Sequence, residues 1–529
     1  MKRIFRYILP LVLLYTASCT SKFDEINTNP TAASESTWDP NYFLPNAQNA
    51  YINIGYGGML YQAPMMQILA STFSYYGNGD KYINTSGSTG YQGTLFNTTY
   101  SVGTVLAEMM RLTKDKDEYT NLYNIGRIMQ AMNIERGTDI YGDIPYSEAF
   151  MAKEGNTTPV YDTQQSIYTA LLTDLDAAIS ALDTSKDGPT GDLFYAGDVA
   201  KWKKFGYSLM LRMAMRLTKI DIATAKTWAE KAIAGGVFTS NDDSAYFTAD
   251  ASNATSAIYN VYQVADDFRE LRWSKTLIDQ LSSTSDPRLS ALAEVPQAGA
   301  TNNANQALTG DNTASIQLGL PNGYDLQGGT TDIRTRSDYP GATGTSDDSA
   351  PLGNYSRPRI SVYLKRAGTL AVLTYAETEL LLAEAAVRGW TGAGEAATHY
   401  SNGVIAAMTF MSEFDATAAI TTETATAWVT ANPLTTTSTE ATLNDINTQY
   451  WIATGTMFNF IETWNNWRRS GYPVLTPVNY PGNVTNATIP RRMIYLSTEV
   501  TTNTTNYQAA VARLSGGDLL TSRVWWDAQ

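Results

Sequence analysis

Tyr375-Ala376-Glu377-Thr378-Glu379-Leu380-Leu381-Leu382-Ala383-Glu384-Ala385-Ala386-Val387-Arg388-Gly389-Trp390, continuing through Glu395-Ala396-Ala397 to Tyr400, decides the fold. Leu373, Ala376, Leu380, Ala383 and Val387 recur at helical spacing, so one face of this segment is an apolar stripe that must be buried. Small residues on both sides of Arg388-Gly389-Trp390 allow a second helix to approach closely, as a tetratricopeptide-type hairpin requires; a generic amphipathic hairpin would show the same pattern. A looser copy runs from Met213-Ala214 through Asp221 to Ala225 and Ala229. Stacked hairpins of this kind share one continuous core and form a curved scaffold.

Working outward, helical periodicity predicts helices over 41–76, 94–113, 118–138, 163–182, 199–218, 222–234, 373–388 and 394–411, with few strand signals. Between Glu294 and Ser356 the pattern gives way to Gly, Asn, Thr, Ser and Asp, predicting a long irregular insertion. A second Thr/Ala-rich stretch, Ala416 to Thr442, reads as loop with a break at Asn432-Pro433. Loops this long on a rigid scaffold tend to carry function. The expected fold is mostly α, a superhelix of helix pairs carrying long irregular loops.

Hydrophobic residues make up 43% of the 529-residue chain and charged residues only 17%, enough apolar surface for one large globular body. Acidic residues outnumber basic ones 51 to 37, a net charge of −14, which repels polyphosphate and excludes nucleic acid as an expected partner. At the start, Lys2, Arg3 and Arg6 precede the apolar run Ile8 to Leu14, which is too short to span a bilayer and reads as a secretory signal over 1–18. Ala17-Ser18-Cys19 then places the only cysteine after small residues, as in a lipobox, with Thr16 where a larger aliphatic residue is usual. Acylation of Cys19 would leave residues 19–40 as a polar tether and 41–529 as the globular body.

One thiol permits no disulfide and no cysteine zinc site, and one imidazole, His399, limits acid–base chemistry. No Walker-type phosphate loop appears, and Gly55-Tyr56-Gly57-Gly58 falls in a helical stretch. Asp139 and Asp143 could form a catalytic carboxylate pair, but Gly142 and Pro145 beside them read as a helix stop whose carboxylates bond backbone donors. Asp and Asn of the insertion could ligate calcium, although no EF-hand spacing exists; no other cofactor is expected.

Aromatic residues reach 11%, with 33 Tyr and 11 Trp, more than a core needs. Tyr75, Tyr76, Asn78, Asp80 and Tyr82, then Tyr91, interleave rings with amide and carboxylate side chains, and Arg272-Trp273 closes a second cluster begun at Phe268. Rings can cover the apolar faces of sugars while polar groups satisfy their hydroxyls, so these eight residues are the expected ligand contacts; the alternative is that the rings pack on the helices below.

Taken in order, Cys19 with Asp24-Glu25-Ile26-Asn27, the Asp139 to Ala149 turn, Asp286-Pro287-Arg288-Leu289, Tyr375-Ala376-Glu377-Thr378-Glu379, Phe460 to Pro473, Ile489 to Tyr495 and Val524-Trp525-Trp526-Asp527 resemble the SusD/RagB family, most closely its second SusD-like branch. The sequence departs from the family at Leu496, where proline is common. The resemblance covers nearly all of the mature chain and implies four tetratricopeptide-like helix pairs beneath irregular loops. It also implies a non-catalytic lipoprotein on the outer membrane surface that captures oligosaccharide, or in some members peptide, for a SusC-like TonB-dependent β-barrel transporter. A surface glycoside hydrolase and a purely structural member of a surface complex are the competing readings.

Overall fold

The computed structural model describes residues 38–53, 55–83, 88–250 and 264–528; the predicted signal segment, Cys19 and nearly all of the tether lie outside the described residues. The protein is mostly helical, as the periodicity predicts. Its principal helices are α1 (Phe43–Ile52), α2 (Gly55–Leu60), α3 (Gln62–Met65), α4 (Ser88–Thr113), α5 (Thr120–Tyr141), α6 (Gln164–Ala181) and α7 (Val199–Arg216). They continue with α8 (Ile222–Gly235), α9 (Lys275–Ser283), α10 (Tyr375–Val387), α11 (Ala396–Thr409), α12 (Thr422–Ala431), α13 (Thr439–Thr456) and α14 (Phe460–Ser470). Sequential pairs α4/α5, α7/α8, α10/α11 and α13/α14 pack together, α6 lies on α5 and α7, and α10 touches both α7 and α13. This is the helix-pair superhelix that the repeat pattern implied.

Local chemistry starts each helix. Thr163 caps α6 by accepting from Ser166 N–H, Asp198 caps α7 through Ala200 and Lys201, and Asp221 caps α8 through Thr224. On α10 the cap is reciprocal: Thr374 accepts from Glu377 N–H while the Glu377 carboxylate accepts from Thr374 N–H. Small residues then allow close packing, and Leu380 and Ala376 of α10 leave no room for a side chain at Gly403 of α11. His399, on α11, bonds Glu379 of α10 through Nδ1 at 2.7 Å, which ties the two helices together.

Two predicted boundaries differ. The expected helix over 41–76 is broken into α1, α2, α3 and strand β1 (Leu69–Ser71), because Pro64 withholds an amide and Gln67 adopts a left-handed φ of 53°. The expected loop at 416–442 contains α12, capped by Thr421, with Asn432 ending it where the Asn-Pro break was read. The predicted helices do not include α13 or α14: α13 has little apolar period, whereas α14 has one in Phe460, Ile461, Trp464 and Trp467. Their faces bury Asn447, Asn465, Asn466, Arg468 and Arg469 as well as Trp451 and Trp464, so polar residues share the buried surface with the apolar ones.

Those polar residues form a buried ionic lattice. Asp139, fully buried on α5, accepts from Arg216 Nε at 3.1 Å, Asn465 Nδ2 at 3.1 Å, Trp526 Nε1 at 2.8 Å and the Tyr168 hydroxyl. Asp139 is therefore committed to side-chain donors rather than to the backbone donors of a turn that the sequence suggested, whereas Asp143 does accept from a backbone donor, Gln164 N–H, and pairs with Arg513. Glu384 accepts from both Arg469 nitrogens at 2.7 Å, and burial, which would raise its carboxyl, is outweighed by Arg469 and Arg388, holding it at about 2.

Glu377 behaves in the opposite sense. Burial pushes its carboxyl up to about 7, reinforced by the charge of Glu462 and opposed by Arg212. The unfolded chain releases this proton near 4.5, whereas the folded chain keeps it to about 7, so the folded state binds more protons across that window and loses stability as pH rises through it. The unfolding temperature of the wild type should therefore decline against that of Glu377→Gln between about pH 5 and 7.5, read by circular dichroism. Parallel melting curves for the two proteins would refute this assignment.

Four short antiparallel pairs stitch loops onto the scaffold: β1 with β5 (Leu271–Trp273), β2 (Ile144–Pro145) with β3 (Tyr161–Asp162), β4 (Ala245–Thr248) with β8 (Thr369–Leu373), and β6 (Ala293–Glu294) with β7 (Arg357–Pro358). The predicted insertion lies between β6 and β7. It has a small core of its own, Leu320, Ile333, Leu352 and Tyr355 closing on Ala70 of β1.

Candidate ligand-binding groove

The two aromatic clusters singled out in the sequence do come together, because β1 pairs with β5 in the register Leu69 to Trp273 and Ala70 to Arg272. They meet as a floor rather than as an open platform. Trp273 is fully buried, set T-shaped against the stacked rings of Tyr363 and Phe458 with centroids 5.7 and 5.8 Å away, and its indole N–H donates to Leu292 O at 3.1 Å. Arg272 is fully buried and donates to Leu352 O at 3.2 Å and Asn303 Oδ1 at 2.6 Å, clamping the insertion. Tyr76 and Tyr82 are also sealed in the core, and Asn78 borders a separate cavity of about 160 Å³ beside Tyr61 and Val484. A ring or guanidinium covered on every side has nothing to offer a ligand, so Tyr76, Tyr82, Arg272 and Trp273 are corrected from contact residues to framework. Of the rings singled out in the sequence whose side chains are described, Tyr75 alone stays half-buried, its centroid 6.3 Å from those of Tyr56 and Phe73. The Tyr91 side chain lies outside the described residues.

Asp80 shows what the floor supports. Buried completely, its carboxylate accepts from Asn322 Nδ2 at 2.6 Å, Gly323 N–H at 2.9 Å and Lys81 Nζ at 3.0 Å. Lys81 also donates to Ser71 O at 2.9 Å, and Ser274 donates to Asn322 Oδ1 at 2.6 Å. A buried carboxylate that kept only one of these partners would be costly; with all three it fixes the Asn322-Gly323 turn. The next residue, Tyr324, is thereby held at the surface.

Around Tyr324 the insertion, α9 and the segment after α14 enclose a groove of about 680 Å³. Tyr324 is half-buried, with the Arg336 guanidinium 5.0 Å from its ring centroid and donating to its hydroxyl at 2.7 Å. Asp338 accepts from Arg336 at 2.6 and 2.7 Å, and this pairing holds the guanidinium well above its ordinary range and permanently charged. The opposite wall is braced by Gln67, whose amide donates to Thr476 O and accepts from the Thr276 hydroxyl, both at 2.6 Å. Tyr480 donates to Asp325 Oδ2 at 2.6 Å and fastens the rim. Asn322, Thr276, Thr330, Thr331 and Asn479 add amides and hydroxyls, while Lys275 is paired to Asp279 at 2.7 Å.

The chemistry available is one ring, a ring-stacked cation and a set of neutral donors and acceptors. Asp279 is the single carboxylate among the described residues lining the groove. Glycoside hydrolysis ordinarily needs two, about 5 to 10 Å apart across the scissile bond. Among the described residues no group of three or more His, Cys, Asp or Glu side chains is placed to hold a metal ion, and no helix is long and apolar enough to cross a membrane. Sequence reasoning passed over Tyr324; its signal was a ring set between the turn-forming Pro321-Asn322-Gly323 and Asp325 inside the insertion already marked as functional.

No curated protein matches the chain. Among solved structures, a protein titled a chitin-binding protein is 30% identical, with 93% of this chain and all of that chain covered and a TM-score of 0.77. A Bacteroidetes AC2a SusD-like protein is 25% identical over 93% of this chain and 100% of its own, with a TM-score of 0.79. A chitin-binding SusD homolog from Flavobacterium johnsoniae, 23% identical over 93% of this chain and 98% of its own with a TM-score of 0.72, shares the fold. The family described as "Starch-binding associating with outer membrane" matches residues 32–496. In sequence over nearly its whole length, and in the helix-pair scaffold with its pinned insertion, the chain belongs to this SusD-like family.

Proposed function

We propose that the protein binds a neutral or weakly charged oligosaccharide on the cell surface and passes it, without catalysis, to a SusC-like TonB-dependent β-barrel transporter. The observation that carries this reading is the groove at Tyr324: a fixed ring for the apolar face of a sugar, surrounded by amides and hydroxyls, with one lining carboxylate. The family description and the chitin-binding relative support glycan as the ligand class. Acylation at Cys19 would hold the protein beside its transporter at high effective concentration, so modest affinity for ligand suffices.

Calorimetric titration with chito-oligosaccharides and malto-oligosaccharides tests it. Saturable binding without product formation is expected, and Tyr324→Ala should weaken it tenfold or more, about 1.4 kcal/mol, while leaving the melting temperature close to that of wild type. Undiminished affinity in Tyr324→Ala would move the site elsewhere, and released shorter sugars would make the protein an enzyme.

A further inference from the structure

A hydroxyl ordinarily donates or accepts as its partner requires, but three hydroxyls of the Tyr324 groove are held to one role by groups behind them. Arg336 carries donors and no acceptor, so its Nη1, 2.7 Å from the Tyr324 hydroxyl, donates and the phenol oxygen accepts. Asp338 takes the same guanidinium at 2.6 and 2.7 Å and keeps it in place. The phenol proton is directed away from Arg336, and among the described residues no group accepts it. What Tyr324 has left for a ligand is a donor, strengthened by the cation bonded to its oxygen.

Thr276 and Thr331, which line the same groove and are half-buried, are fixed in the opposite sense. Gln67 Nε2 donates to Thr476 O at 2.6 Å; a backbone carbonyl only accepts, so the amide cannot be turned over and its Oε1 faces the Thr276 hydroxyl, which donates to it at 2.6 Å. The Asp325 carboxylate draws the Thr331 proton in the same way, at 2.8 Å. What each threonine has left for a ligand is a lone pair. Sugar hydroxyls rotate to suit either role, so walls of fixed polarity do not tell one from another. An amide is fixed as the walls are, with a carbonyl that only accepts and an N–H that only donates.

We infer that the groove selects sugars bearing an acetamido group, whose carbonyl accepts from the Tyr324 hydroxyl while its N–H donates to Thr276 or Thr331, and that Arg336 is the positioning residue that sets this preference. The inference rests on the glycan reading of the groove and adds what the ring cannot supply, since a ring covers the apolar face of a sugar whether or not the sugar carries an amide. An amide oxygen is a stronger acceptor than an alcohol, and its N–H lies on the opposite side of the group. A sugar with a hydroxyl in that place must meet donor and acceptor from a single oxygen atom, and a site built for the longer group is left with polar atoms poorly paired.

The full-length protein is titrated calorimetrically with chitotriose and with cellotriose, trisaccharides of the same linkage that differ only in bearing an acetamido group or a hydroxyl beside the anomeric carbon. Wild type should bind chitotriose about tenfold or more tightly than cellotriose. Tyr324→Phe keeps the ring and loses the donor, so its cellotriose affinity should stay within about twofold of wild type while the preference for chitotriose falls to about threefold or less. Arg336→Met, which frees the phenol to turn its proton elsewhere, should lower the preference in the same direction, a ratio that a merely structural role would not move. Equal affinity for the two sugars in wild type, or an undiminished preference in Tyr324→Phe, would overturn the inference and leave the glycan reading standing. Binding of neither sugar would overturn both. Triglycine displacing chitotriose at equal concentration would show that the groove reads a peptide amide and would overturn the assignment to sugars.

Discussion

Asp139→Ala is expected to destabilise the protein by about 3–5 kcal/mol, read as a lowered urea midpoint and melting temperature. The size follows from what the carboxylate holds. Four donors from four parts of the chain converge on it: Tyr168 of α6, Arg216 of α7, Asn465 of α14 and Trp526 near the C-terminus. Removing it leaves the fully buried Arg216 with only Glu462 and strips the indole N–H of Trp526 of its acceptor. Truncation also loosens the C-terminal segment, whose Asp527 is bonded to Arg491 and Arg523. Asp139→Asn should cost less, because an amide oxygen still serves one or two of the donors. A loss below about 1 kcal/mol in the alanine variant would mean the lattice tolerates an unpaired guanidinium and that Asp139 is not its centre.

The same lattice explains why the scaffold was half legible in the sequence. Where a helix buries an apolar stripe, as α10 does through Ala376, Leu380 and Ala383, periodicity located it to within two residues of its ends. Helix α14 carries an apolar face in Phe460, Ile461, Trp464 and Trp467, yet it also buries Glu462, Asn465, Asn466, Arg468 and Arg469, and hydrophobic periodicity is blind to that polar part of its buried surface. Burial of those groups is possible only because partners arrive from α5, α7, α10 and α13, and partners distant in sequence leave no local trace. The groove failed to emerge for a related reason. The clusters at 75–82 and 268–273 read in the sequence as two separate sets of ligand contacts; the pairing of β1 with β5 makes them one neighbourhood, and composition does not say which side of a sheet faces solvent. The insertion covers that neighbourhood with Leu320, Ile333 and Leu352, and the ring left half-buried at the groove is Tyr324, at the end of the turn that Asp80 holds.

Trp273→Ala separates those two possibilities for the floor. With the ring fully buried against the stacked Tyr363 and Phe458 and its N–H committed to Leu292 O, truncation should leave a large cavity and cost about 3–5 kcal/mol of stability. Trp273→Phe, which keeps most of the packing and loses the hydrogen bond, should cost about 1–2 kcal/mol. Because β5 carries both Trp273 and Arg272, and Arg272 clamps the insertion at Asn303 and Leu352, loosening the strand should also raise hydrogen exchange across 294–356 before the helix pairs are affected. Oligosaccharide affinity of Trp273→Phe, measured below its melting transition, should stay within about twofold of wild type, a difference of roughly 0.4 kcal/mol. A variant that kept its stability but lost its glycan would return Trp273 to the ligand site and place the groove at Tyr324 in doubt. The outcome turns on solvent access alone: a tryptophan that binds sugar must show a face to water, and this one shows none.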